Sequence, residues 1–372
     1  MFDYLKYYLA PLIQVAACVG LYLGGDYVWI GIASFPVLAA LDSMLPQDLR
    51  TRTIKSKGWA YVPVWISTLM GPVTYVVLAW SLAHHDLTPL QMLGAVVGCA
   101  WLSVVPIVPA AHELYHARGA LGRIVGRYAQ ICFLDATRME AHVVGHHIDV
   151  GTVEDTDTAA RGETLYSFAP SAVVRSTIQA QMIECASLEK RGFARWSIRH
   201  KLWRAILAQI VFQTLLYWLG GWTAVALALG AMVIARFWVE TFNYFQHYGQ
   251  VRVIGSPIEK RHVWNHFGPL SRLIAFEITN HADHHLNSYQ PYYDLVPHRD
   301  SVRMPSVFVC FLAALFPPIW FRWIIKPALK KWDLEYASAD ERALAAQQNR
   351  AANWENWFGT SVRPKRTSTS AV

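Results

Sequence analysis

Charge is scarce in this chain. Only 16% of its 372 residues are Asp, Glu, Lys or Arg, where a soluble domain carries about 25%. The deficit argues against a surface wetted on all sides and implies that part of it faces lipid. Cysteine is scarce too: five residues, at 18, 99, 132, 185 and 310, with no C-x-x-C pair. That argues against a disulfide framework and against a thiolate-held metal or iron–sulfur centre. Cys18, Cys99 and Cys310 lie in apolar runs and are expected to pack as small hydrophobes. There is no G-x-G-x-x-G and no P-loop, and the glycines between Gly119 and Gly126 have the wrong spacing, so nothing supports nucleotide binding. The opening MFDYLKYY lacks a basic region and no small-residue cleavage site follows. No removable signal is expected, and the first apolar stretch is expected to stay as an anchor.

What the chain has is apolar and aromatic. Hydrophobic residues make up 54% of it, with 16 Trp and 17 Tyr, residues that gather where membrane meets water. A membrane-spanning helix needs about 20 mainly apolar residues. Such stretches occur near 7–23, 27–45, 59–82 and 90–111, and two more near 203–219 and 222–245 flank the Gly220–Gly221 turn. The expected fold is an all-α integral membrane protein, a single membrane-embedded domain over 1–336 with about six transmembrane helices. A polar tail over 337–372, ending RPKRTSTSAV, is expected to be mobile. The stretch 304–325 is apolar but interrupted by Pro317–Pro318. If it spanned, the basic run from Lys326 to Lys331 would lie outside, so it reads as a buried or interfacial segment.

Basic residues orient the bundle. Arg50, Arg52, Lys55 and Lys57 follow the second span, while the turns 24–26, 83–89 and 219–221 contain no Lys or Arg. The positive-inside rule then puts 50–57, 112–201 and 246–303 together in the cytoplasm. The net charge of +7 needs no nucleic acid, because loops beside anionic lipid are normally basic.

Nine of the fifteen histidines fall in four clusters on that side. His112 and His116 lie in HELYH, and His142, His146 and His147 in AHVVGHH. His247 lies in NYFQHYG, and His281, His284 and His285 in NHADHH. Residues three or four apart share a helix face, so each cluster aims its imidazoles in one direction. Neutral imidazole suits iron, zinc, copper or nickel. Nine ligands exceed what one ion can use, whereas two metals with four and five ligands fit. HELYH also matches the zinc-protease helix H-E-x-x-H, an alternative that leaves seven histidines idle. A metal transporter is a third reading, but it would want ionisable groups near the midplane. Glu113, Glu140 and Asp283, beside ligands, are candidates for fixing a ligand's ring tautomer. His262 and His266, an i, i+4 pair around Trp264, are allowed a role near the site. His84, His85, His200 and His298 read as ordinary polar residues. The acidic stretch 154–157 reads as a solvated loop.

In this order the four boxes resemble the membrane di-iron superfamily of fatty-acid desaturases, alkane hydroxylases and xylene monooxygenases. NYFQHYG after a late hairpin is particular to the hydroxylases. Terminal alkane hydroxylases typically have Glu where this chain has Gln246 and Arg where it has Asn280. Gln246, Asn280 and DTDTAARGETLYSF (155–168) resemble the hydroxylase components of xylene monooxygenase and para-cymene methyl hydroxylase. The resemblance runs from about Tyr7 to about Tyr336. It implies two non-haem irons on the nine histidines and O2-dependent conversion of an aromatic methyl group to the benzylic alcohol. It implies electrons from NADH through a separate reductase carrying FAD and a 2Fe–2S cluster, and a bacterial inner-membrane setting. Terminal alkane hydroxylation, with rubredoxin as donor, is the alternative.

Overall fold

The computed structural model describes residues 3–358, and they are almost entirely helical. Among the described residues the only strand pairing is a two-residue parallel bridge, Asn265–His266 against Arg303–Met304. Five helices are long and apolar enough to cross a membrane: Leu5–Leu23, Gly25–Met44, Lys57–His84, Pro89–Tyr115 and Lys201–Gln246. Within them, α1 is Leu9–Leu23, α2 Ile30–Met44, α3 Lys57–His84, α4 Pro89–Val104 and α5 Ile107–Tyr115. Outside the first four spans come α6 (Ala120–Ala129) and α7 (Leu165–Lys190).

The fifth candidate span, α8 (Lys201–Gln246), folds back on itself. Gly220 and Gly221 leave the helical region, Gly221 at φ +65°, a conformation open to glycine at no steric cost. Met232 Sδ then lies 3.4 Å from both Gln209 Nε2 and Gln213 Nε2. In a straight helix residues 213 and 232 would stand about 28 Å apart, so the two limbs run antiparallel. Trp218 and Trp222 beside the turn are 82% and 74% exposed, as interfacial anchors are.

The bundle's core forms where α3 packs on α1 and α8, and where α4 packs on α2 and α8. Tyr75, Trp101 and Leu216 are fully enclosed there, and Cys99 and Cys310 are buried as small apolar groups. The outward faces are apolar as well: Leu12, Val15, Val37, Leu41, Leu207, Ile210, Val211 and Val233 are all exposed. A water-soluble protein rarely shows so much contiguous apolar surface; on a membrane bundle it is the lipid-facing side.

Three features of the fold position the site. First, the span expected at 90–111 continues through HELYH. Pro106 holds Val105 extended (φ −129°), because a proline disfavours the helical region for the residue before it. The rod breaks there and restarts as α5. Second, 304–325 is short helices broken at Phe316: α10 (Val307–Ala314) and, beyond it, the turn of wider π-helix Trp320–Ile325. Eight residues rise only about 12 Å. Val307, Phe308, Cys310 and Phe311 bury their side chains, as the non-spanning reading expects. Third, the segment read as a polar tail from 337 is docked over much of its length. After α11 (Lys326–Glu335), α12 (Ala339–Ala351) packs with Glu341 buried against His262 and Arg261. Arg161 bridges Asp333 and Asn349, and Trp357 Nε1 donates to Asp333. These charge-assisted bonds form because the segment carries acids where the loops carry arginines. The closing RPKRTSTSAV lies outside the described residues.

The basic loop after α2 is also less free than its composition implies. Arg52 is buried between Asp48 (2.8 Å) and Glu277 (2.7 Å), and Lys57 pairs with Asp294 at 2.9 Å. Arg272 joins Glu277 at 2.5 Å, and Tyr7 donates to the same carboxylate at 2.7 Å. The loop is thereby stitched to the stretch that carries His281, His284 and His285.

Candidate metal centre

The ring-bearing segments converge at one end of the bundle. α5 supplies His112 and, at its C-cap, His116, one turn apart. His142, His146 and His147 come from a π-helical turn, Ala141–His146, in which the His147 N–H reaches the His142 carbonyl. In an α-helix, residue i+5 lies about 140° round from residue i. The wider i→i+5 turn brings it back over residue i, so His147 and His142 share a face. The simple three-or-four spacing rule misses this. His247 caps the end of α8. The short helix α9 (His281–Leu286) carries the last three.

The nine rings form two adjoining sets. Ring nitrogens of His112, His116, His142, His147 and His284 lie within 4.8 Å of one another, and so do those of His146, His247 and His285. His281 joins the second set, its Nε2 3.1 Å from His247 Nε2 and 3.2 Å from His285 Nε2. In the first set, His142 Nε2 lies 3.0 Å from His112 Nε2 and 3.1 Å from His147 Nε2, which is 3.1 Å from His284 Nε2. Both nitrogens of His116, and the Nδ1 atoms of His147, His247 and His285, are buried without a hydrogen-bond partner among the described residues. Buried nitrogens normally find partners. Lone pairs facing one another in a protein-enclosed space are repulsive unless a cation sits between them. The donor set therefore fits a metal, with five imidazoles on one side and four on the other.

Electrostatics suits the rings to bind a cation. Burial, reinforced by neighbouring imidazoles, holds His142, His147, His247, His284 and His285 well below the ordinary histidine range. Burial brings His116 and His281 down to about 3. Neutral rings keep the lone pair that coordination needs. His146 differs. Burial pulls it down as well, but the Asp155 carboxylate outweighs burial and raises it. Asp155 places both oxygens 3.0 Å from His146 Nδ1, which leaves Nε2 for the metal.

Asp155 is the residue that sequence reasoning missed. It and Asp157 are only 2% exposed, so this part of the 154–157 loop is not solvated. Asp155 also accepts from Thr158 Oγ1 and the Asp157 N–H. The three carboxylates expected to fix ring tautomers bond elsewhere. Glu113 accepts from Tyr61 (2.7 Å) and the Tyr292 N–H (3.2 Å). Glu140 is clamped by Arg127 and Lys201. Asp283 meets His298 and the Val296 N–H. Each sits next in sequence, or nearly so, to a ligand, and neighbours on a helix do not face each other. His262 and His266 take structural partners, Glu341 and the Pro305 carbonyl. His84 and His85 bond backbone carbonyls of Trp80 and Tyr22, and His200 caps α8.

A mainly apolar cavity ends on both sets. His112 and His142 of the first and His247 and His281 of the second line it, with Val104, Val108, Val239, Phe242, Ile274 and Ile278. Gln246 is on its wall with Asn243 and Thr279, whereas Asn280 turns to Glu277. Beside the cavity, Arg138 joins Asp135, Asp157 and Glu240, and Arg236 joins Asp135 and Glu240, in a buried ion network.

Known proteins are similar to this chain in sequence. Residues 88–305 match the fatty acid desaturase family. The chain is 39% identical over 358 residues to the xylene/toluene monooxygenase hydroxylase component XylM of Pseudomonas putida, covering 95% of this chain and 97% of that one. It is 28% identical to alkane 1-monooxygenase 1 of Pseudomonas aeruginosa, over 86% and 87% of the two chains. Alkane 1-monooxygenase 2 of Alcanivorax borkumensis is 25% identical over 89% and 91%. A protease reading would leave seven of the converging histidines without a purpose. The chain belongs to the fatty acid desaturase family of membrane proteins, in the monooxygenase branch that holds the xylene/toluene and alkane hydroxylases.

Proposed function

We propose that this protein hydroxylates a methyl group of a hydrophobic aromatic hydrocarbon, such as xylene, toluene or para-cymene, to the benzylic alcohol. One oxygen atom of O2 enters the C–H bond; the other leaves as water with two protons and two electrons. The observation that carries the reading is the apolar cavity whose wall is shared by His112 and His142 of one set and His247 and His281 of the other. A substrate bound there would lie against His112 and His142 of one set and His247 and His281 of the other. Two irons, held by five and four histidines, would supply the O2-activating redox chemistry that side chains lack.

The chain's own residues do the rest. Val104, Val108, Val239, Phe242, Ile274 and Ile278 bind the hydrocarbon and exclude water. Asp155 holds His146 with Nε2 directed inward. Gln246 offers the cavity an amide beside His247. This chain has no dinucleotide fingerprint and no paired cysteines, so its electrons would come through a separate protein, which the family resemblance implies is an NADH-dependent reductase carrying FAD and a 2Fe–2S cluster. The similarity to a protein named as a hydroxylase component supports such a partner. The histidine end lies in the cytoplasm of a bacterial inner membrane: the stretch carrying His281 is ion-paired to the basic loop 50–57, and basic loops stay inside.

The test is iron-loaded protein in nanodiscs with the reductase, NADH and either para-xylene or octane. Benzylic alcohol from para-xylene is expected to form faster than octan-1-ol. The reverse order favours the alkane reading, and turnover with NADH but no reductase refutes the partner.

A further inference from the structure

Away from the histidines, the turn of π-helix Trp320–Ile325, α11 and the chain after α12 enclose a second cleft. Arg322, Lys326 and Lys330 are spaced by four, so they line one helical face, and Trp354 and Trp357 form the opposite wall. Lys326 Nζ stands 4.7 Å over the Trp354 ring, a favourable cation–π contact that leaves its charge uncompensated. Glu355 is the one acid in the cleft, 3.9 Å from Lys330 in an exposed pair, which is worth little. Among the described residues neither Arg322 nor Lys326 has a carboxylate partner, and no Asp or Glu follows Glu355 in the sequence. The cleft therefore presents a basic wall open to an anion.

The next face round says which anion. Phe316, Ile319 and Trp323 are 55%, 47% and 66% exposed, and they continue the apolar exterior of α10 at Leu312. Bare aromatic and aliphatic side chains beside a basic, tryptophan-walled cleft match the boundary between acyl chains and headgroups. A soluble anion would have no use for the apolar part.

We propose that this cleft binds the phosphate of an anionic phospholipid, with Phe316, Ile319 and Trp323 under its acyl chains. The site pins α11 and α12, and through the Arg161–Asp333 pair the loop containing Asp155, to the membrane surface.

The test uses purified full-length protein in detergent, titrated with short-chain phosphatidylglycerol, phosphatidylcholine or inorganic phosphate and read by tryptophan fluorescence. Near an anionic surface each basic residue contributes about 1 kcal/mol, so the triple variant Arg322→Gln, Lys326→Gln, Lys330→Gln should bind phosphatidylglycerol roughly 100-fold more weakly. A control variant at the exposed Lys190 and Arg195 should bind like the parent. Should the triple variant fail to fold, Lys326→Gln alone should show about a fivefold loss. Unchanged binding in the variants overturns the proposal. So does equal binding of phosphatidylcholine, or displacement of the lipid by equimolar inorganic phosphate, which would make this a free-phosphate site.

Discussion

At the scale of single residues, the account turns on which carboxylates serve the metal ligands. Asp155 grips His146 Nδ1 with both oxygens, and loss of such a partner typically costs 10–100-fold in metal affinity. Asp155→Asn should therefore weaken iron binding by about that factor, measured by competition with a chelator; unchanged affinity would remove Asp155 from the site. Glu113 is the opposite case. It faces Tyr61 and Tyr292 rather than a ring, so Glu113→Gln should leave iron content intact while lowering stability by about 1–3 kcal/mol through its buried hydrogen bonds. A zinc-protease reading demands the reverse, since there Glu113 would be the catalytic base. The convergence of the nine histidines could be read from spacing, because four boxes in this order leave little else to explain them. Their supporting partners could not. Whether Asp155 or Asp283 meets a ring depends on how a loop returns to the helix end, and no local pattern encodes that.

At the scale of elements, the π-helical turn is what makes the AHVVGHH box work. The pattern H-x-x-x-H-H gives an ordinary helix no way to aim its first and last rings together, and here the wider turn does so. Inserting one alanine after Val144 should rotate the residues on either side by about 100° relative to one another. His146 and His147 belong to different sets, so both sets should be damaged. Iron content is expected to fall by half or more while circular dichroism stays helical. Full iron loading in that variant would mean the turn is incidental. The apolar spans were legible because length and hydropathy are sequence properties, and the Gly220–Gly221 turn because glycine is the residue such a bend needs. The π-turn and the docking of α12 were not. The first is a local excess of one residue that only the folded site justifies, and the second depends on Arg161, Arg261 and His262 far away in sequence.

At the scale of the whole molecule, one design links lipid, cavity and metal. Apolar outer faces hold the bundle in the bilayer, where hydrocarbons concentrate, and the cavity between α4, α5 and α8 leads to the histidine end. The loop 48–57, the stretch 272–294 and the C-terminal helices fasten that end by buried ion pairs, so rings from four distant segments hold one geometry. The sequence already pointed to the membrane setting and to the family. It gave less guidance on the fastening, because Arg52 and Lys57 look like free surface charges until Glu277 and Asp294 are seen beside them. The most direct measurement is the metal content of the purified, full-length protein by elemental analysis. Five and four imidazoles in adjoining sets predict about two irons per chain and little zinc, with both lost together when His142 and His281 are replaced by alanine. A single zinc per chain that survives those substitutions would contradict the account.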